Sequence, residues 1–226
     1  MQAGRQRTRP RLTALAATCG ALAGVGGITH GIGEMLQGSH PPEAIVFDSW
    51  AQGPIADNLG GEPAMSLIPN LRVTGIVTIA VSLVVVVWSL SFLRRRHAGT
   101  VLVLLSVAML AVGGGFGPPI VGMLAGLVAG AAHATRPRRV WRLVNTHMDT
   151  FRRLWPALFW LCAVNAVFLV VGSLLIGGVL GLAAPEVFVV SLFLVVPAMP
   201  LAALAGRASQ NTVASSRPSG PPALRP

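Results

Sequence analysis

Two ionisable side chains stand four residues apart at the end of the first apolar stretch: His30 and Glu34. At that spacing on a helix both point to one side, so an imidazole and a carboxylate can meet each other or one shared ligand. An ionisable group at membrane depth is costly enough to count as a functional candidate. The plainer reading is that His30, in the last turn, hydrogen-bonds a neighbouring helix or reaches water, with Glu34 beyond the hydrocarbon. Arg72 stands at the start of the second apolar stretch, and every other arginine lies on the opposite side of the topology derived below. An unpaired guanidinium there must snorkel outward or meet a carboxylate such as Glu34 or Glu62. The expectation is one polar cluster of His30, Glu34, Glu62, Asn70 and Arg72, serving as a ligand or proton site. Its competitor is a salt bridge fastening the second helix to the preceding loop.

Other chemistry finds little support. Two side chains do not define a metal site, because zinc takes three or four ligands, and no His-Glu-x-x-His arrangement occurs. His40, Glu43 and Asp48 lie nearby in sequence but on a loop. No phosphate-cradling loop, paired-cysteine motif or Ser, His and acid grouping is legible, so no catalytic residue, metal or cofactor is assigned.

Glycines recur at helical spacing in two places. Gly20, Gly24, Gly27 and Gly31 form a strip on the first helix, and Gly122, Gly126 and Gly130 form another later. Both allow a second helix to approach closely. They indicate packing, within the chain or against another copy or a partner subunit.

The elements that must position these residues are apolar helices. The chain is 53% hydrophobic and 11% charged over 226 residues, too apolar for a soluble domain of this size. The fold class expected is an all-α integral membrane protein, a six-helix transmembrane bundle with an added cytoplasmic interfacial helix. Spans are expected at about 12–32, 73–93, 100–115, 119–134, 157–178 and 187–206. The first is about 31 Å long at 1.5 Å per residue, enough to cross a bilayer core. Residues 100–134 would make one helix of about 52 Å, so they must fold back. Gly113-Gly114-Gly115-Phe116-Gly117-Pro118-Pro119 supplies the turn of a short hairpin; the alternatives are a re-entrant pair that does not cross, or a broken segment lining a cavity.

Charge orients the bundle. All 17 basic residues are arginine, and except for Arg72 they fall in residues 1–11, two inter-helix loops and the tail. The loop at 33–70 holds Glu34, Glu43, Asp48, Asp57 and Glu62, five of the seven acids, and no base. The positive-inside rule then places both termini in the cytoplasm and this loop outside. Pro63 is read as opening a short helix within it. Arginine without lysine, alongside abundant Ala and Gly, points to a GC-rich bacterial genome and the inner membrane. The net charge of +10 is thereby spent on topology, and nucleic acid is not an expected partner.

From Arg136 to Arg153 the basic residues oppose an apolar stripe of Val140, Val144, Met148, Phe151 and Trp155. This predicts a helix lying on anionic lipid headgroups, with Asp149 pairing Arg153 at i,i+4. Residues 207–226, rich in Ser and Pro, read as a disordered cytoplasmic tail. Cys19 and Cys162 fall inside spans and read as small apolar residues. A cleaved signal peptide over the first span is the alternative at the N-terminus.

Three functions fit. The first is a small transport-related or accessory membrane protein with a polar cluster at its extracytoplasmic mouth. The second is a membrane-embedded enzyme with an outer-leaflet site around His30 and Glu34, and the third a structural subunit packing through its glycine stripes.

Overall fold

The computed structural model describes residues 10–133, 148–183 and 185–215. It is 77% helical with almost no sheet, an all-α fold. Four helical stretches are long and apolar enough to cross a membrane: Pro10–Gln37, Leu71–Ser91, Asp149–Val179 and Pro185–Ser209. Arg5, Arg7 and Arg9, the arginines 136–142 with the first part of the surface helix, and residues 216–226 lie outside the described residues.

Helix α1 (Pro10–Gln37) is central. Its apolar side chains Leu12, Leu15 and Cys19 are fully buried, and it continues past residue 32, so that Glu34 belongs to the helix. The loop that follows is ordered. Strands β1 (Val46–Asp48) and β2 (Pro63–Met65) pair antiparallel, with Val46 opposite Met65 and Asp48 opposite Pro63. Helix α2 (Pro54–Leu59) lies between them and ends on Gly60 at φ +70°. Pro63 therefore opens a strand, contrary to expectation. The short helix starts instead at Pro54, whose missing N–H is harmless in a first turn.

Helix α3 (Leu71–Ser91) packs along α1, and here the glycine strip is consumed. A Cβ on Gly24 would fall 2.8 Å from the Ser82 carbonyl oxygen, and one on Gly31 2.8 Å from that of Gly75. The facing side of α3 carries Thr74, Thr78, Ser82 and Ser89, all buried. Small residues on one helix thus receive small hydroxyl residues on the other, the close packing that lipid-embedded helices use in place of a hydrophobic drive.

Helices α4 (Ala98–Ala111) and α5 (Gly117–His133) form the hairpin. At 14 and 17 residues they are about 21 and 26 Å long, shorter than the ~30 Å hydrocarbon core. Gly126 meets Gly99 and Val103 of α4, and Gly122 meets Ser106. The base of the hairpin is tied to α3 by the Trp88 indole, donating 3.0 Å to the Ala98 carbonyl, and by His133 Nε2, 3.2 Å from that of Leu93. At the other end the loop comes down to meet the short arms: Ser66 bridges to Val112, and the Leu67 amide donates 3.1 Å to the Ala111 carbonyl.

Helix α6 (Met148–Val167) runs directly into a π-helical stretch, Phe168–Val179, and α7 (Pro185–Ser215) returns beside it. Two expectations are corrected here. No break separates the surface segment from the fifth span, because Trp155 is buried against α1 and Gly206 of α7, which carries the helix through Pro156. Nor does the last helix end at Gly206. Its next residues Ala208 and Ser209 are buried, and the Arg207 guanidinium donates to the Ala131 carbonyl of α5, so the helix continues to Ser215. Asp149 pairs with Arg152 at 3.9 Å rather than with Arg153; both side chains are exposed, so the pair adds little. Asn165 and Ser191 hydrogen-bond α6 to α7.

Candidate functional site

The short hairpin leaves a recess beside the last turns of α1, and loop residues 45–68 fill it. Gly33 begins the assembly. Its bare Cα lets Ser49 and Trp50 lie on the helix, where a Cβ would fall 2.5 Å from the Ser49 carbonyl oxygen and 2.7 Å from the indole ring. Gln37, one turn on, donates to the carbonyls of Asp48 (3.0 Å) and Ser49 (2.7 Å). Clamped in this way, the ribbon presents partners to both sides of one imidazole. Ser49 Oγ lies 2.8 Å from His30 Nδ1, and Glu62 Oε2 lies 3.7 Å from His30 Nε2.

Ser49 and Glu62 are held together by the ribbon itself, since the Ser49 amide donates 3.2 Å to the Glu62 carbonyl. Glu62 has φ +54°, the one described non-glycine residue at positive φ. That conformation costs on the order of 1–3 kcal/mol and is kept where the surroundings impose it. Here the imposed turn is what aims its carboxylate at His30.

Glu34 occupies an adjoining network that shares Ser49, whose side chain also hydrogen-bonds the Glu34 carboxyl group. Its side chain is fully buried. Thr78 Oγ1 lies 3.2 Å from Glu34 Oε2 and 2.5 Å from the Val112 carbonyl oxygen, which takes its one proton, and Oε1 has no hydrogen-bond partner among the described residues. Above the threonine, Thr74 Oγ1 lies 3.2 Å from Ser66 Oγ. The glycine-rich turn closes both networks. Gly113 (φ +119°) lies against the Glu34 carboxylate and Gly115 (φ +70°) against the His30 ring, and a Cβ on either would overlap those groups. Only glycine combines these φ values with so close an approach.

The five residues expected to converge thus separate. His30 and Glu62 meet, and Glu34 sits one helical turn away, joined to His30 through Ser49. Asn70 is the N-cap of α3, accepting 3.1 Å from the Val73 amide. Arg72 is exposed and makes no ion pair among the described residues. It leaves the cluster because it follows the cap by two positions, which turns it to the side of α3 opposite the buried Thr74 and Thr78. Ser49 and Thr78 were not foreseen at the site, and Gly113 and Gly115 were expected only as a turn or a cavity lining. The repeat of Thr74, Thr78, Ser82 and Ser89 at helical spacing was the one available signal for Thr78.

His30 also faces outward from these partners, into a cavity of about 220 Å³. Thr29, His30 and Glu62 form its polar end; the rest is apolar, with Leu22 of α1, Phe116 and Val121 of the hairpin, Leu169 of the π-helical stretch and Phe188 of α7. Phe188 stacks on Phe168 with ring centroids 5.0 Å apart. Ser49 is absent from this lining. A separate cleft of about 400 Å³ lies at the far end of α1 and α3, by Thr13, Ser89 and Arg94. Between the two, Leu15, Cys19 and Ala23 of α1 are buried, and α3 carries the buried hydroxyls of Thr78, Ser82 and Ser89.

Among the described residues no group of three His, Cys, Asp or Glu side chains is placed to hold a metal. Comparison of the chain with protein-family models, with curated proteins and with solved structures finds no match.

Proposed function

We propose that this chain is a six-span protein of the bacterial inner membrane with a transport-related or accessory role, whose working site is the His30 pocket at the extracytoplasmic mouth. One observation carries the reading: a buried histidine, held between Ser49 and Glu62, forms the polar end of an otherwise apolar cavity. Binding sites are commonly apolar hollows with a few convergent polar groups.

The placement of charge in the fold supports this topology. The exposed arginines 94–96 and the exposed acids Glu43, Asp48 and Asp57 fall at opposite ends of α3, which at 21 residues is about 31 Å long. The hairpin is joined to α3 at its arginine end and to the acidic loop at its turn, as two short crossings would be. A role as a subunit packing through its glycine stripes has less support, since Gly20, Gly24, Gly27, Gly31, Gly122 and Gly126 face helices of the same chain and only Gly130 of the stripes faces open space.

Two measurements test the reading. In a Cys19→Ala, Cys162→Ala background, Gln52→Cys should react with a membrane-impermeant maleimide on intact cells and Arg95→Cys should not; labelling of both or neither from outside ends the six-span arrangement. Mass spectrometry of small molecules extracted from the purified protein should find a compound that is lost in His30→Ala. Identical extracts would remove the site.

The chain Ser49–His30–Glu62 favours a second reading, an outer-leaflet membrane enzyme. Because Ser49 is fully buried and turned away from the cavity, its role there would be to orient the imidazole, leaving Nε2 and the Glu62 carboxylate to act as general base. Covalent labelling of Ser49 by a fluorophosphonate would contradict that geometry and make Ser49 a nucleophile.

A further inference from the structure

We infer that the cavity beside His30 is a lateral binding site for a single-chain amphiphile whose head group donates hydrogen bonds, an amine or an alcohol rather than an anion. This rests on the proposed site and names the class of molecule it takes.

Shape is the first argument. The cavity's volume, about 220 Å³, lies below the ~300 Å³ usual for drug-sized ligands, and its lining beyond the polar end is aliphatic and aromatic. One slender hydrocarbon chain fits that description. Access is the second. On the loop side the cavity is roofed by α2: Leu59 packs on Gly177 of the π-helical stretch, and the Asn58 amide donates 3.2 Å to the Gly177 carbonyl. On α7 the lining residue Val189 is 53% exposed and has Val190 and Phe193 beside it, 66% and 71% exposed. The opening therefore lies among outward-facing apolar side chains, where a membrane protein meets lipid, while the loop shields the site from water.

Charge is the third. The head-group end holds Glu62, His30 and Thr29, and no arginine lines the cavity. Thr29 Oγ1 already donates 2.7 Å to the Gly26 carbonyl, so what it can still offer a ligand is an acceptor. At 3.7 Å, Glu62 and His30 do not saturate each other, and the Glu62 carboxylate accepts no hydrogen bond from the described residues. Its unmet need is for a donor. An anionic head would instead face a carboxylate in a poorly solvated space, beneath a loop whose other charges are also negative.

The test uses the purified full-length chain in non-denaturing micelles, with dodecylamine, dodecanol and dodecyl phosphate as probes and native mass spectrometry as readout. The amine and the alcohol should each form a one-to-one adduct, and the phosphate should bind at least about tenfold more weakly. Glu62→Gln should weaken the amine by about tenfold and leave the alcohol nearly unchanged, since an amide oxygen still accepts from a hydroxyl. Val189→Trp, at the exposed mouth, should reduce binding of all three, as should Val170→Trp deeper in the cavity. Equal or tighter binding of the phosphate overturns the inference, as does binding that is indifferent to Val189→Trp. Micelle binding does not depend on sidedness. Failure here, with the His30-dependent compound and the cysteine labelling intact, removes only the ligand class; failure of those two removes the site and topology beneath it.

Discussion

The hydroxyl of Thr78 reaches the Glu34 carboxylate at 3.2 Å while donating 2.5 Å to the Val112 carbonyl. One side chain on α3 thereby joins α1 to the turn of the hairpin, with Glu34 and Thr78 both fully buried. Thr78→Val keeps the shape and removes the hydroxyl, taking one of its side-chain partners from the buried Glu34 carboxyl group and the donor from the Val112 carbonyl. An unsatisfied buried group costs about 1–3 kcal/mol. The purified protein should unfold at lower temperature than wild type, Thr78→Ser should recover most of the loss, and an unchanged Thr78→Val would show the contact to be idle.

Gly115 should tolerate no side chain. At φ +70° with its Cα against the His30 ring, Gly115→Ala meets both backbone strain of about 1–3 kcal/mol and a steric overlap. The turn must lift from the recess, so His30-dependent binding should fall together with thermal stability. Gly60→Ala is the informative comparison. Its φ is also +70°, but a Cβ there meets nothing, so it should lose stability without losing binding.

The two glycine stripes should not respond uniformly to alanine. Gly24 and Gly31 face backbone atoms of α3 that cannot rotate away, so Gly24→Ala and Gly31→Ala should each destabilise by about 1–3 kcal/mol, as overpacking does. Gly130→Ala points its methyl into open space and should be neutral or stabilising by up to about 1 kcal/mol. Thermal melts in one detergent would separate them, and equal losses at all three would contradict the assigned faces.

Asn70 and Arg72 are two residues apart and should behave differently. Asn70→Ala removes the cap of α3 and should cost about 0.5–2 kcal/mol. Arg72→Ala, on an exposed arginine without an ion pair among the described residues, should leave both thermal stability and small-molecule binding unaltered. A binding defect in Arg72→Ala would restore the larger cluster that its sequence position suggested.

The α6–α7 pair is fastened by Asn165, whose amide donates 2.9 Å to the Ser191 carbonyl and whose oxygen accepts from the Ser191 hydroxyl. Asn165→Ala removes both bonds and should cost about 1 kcal/mol, at ~0.6 kcal/mol for each interhelical hydrogen bond in a membrane. Because Leu169 and Phe188 of the same pair line the cavity, its effect on amphiphile binding should exceed its effect on stability.

Much of this molecule was legible from residue order alone. Hydropathy and helix rise located the apolar helices, most ends within about five residues but the start of α6 and the end of α7 about nine short, because burial of an oily run is a sum over consecutive residues. The glycine strips and the Gly113 to Pro119 turn were visible for the same reason: spacing and φ demands are local. What the order of residues left open was partnership. His30 takes Ser49 and Glu62 because a two-stranded ribbon, too short to announce itself, bends both toward it. Arg72 leaves the cluster because the cap at Asn70 sets the rotation of α3, and α7 passes Gly206 because Ala208 and Ser209 find a buried face. Each of these outcomes depends on contacts between residues far apart in the chain, whose energies exist only once the helices have packed.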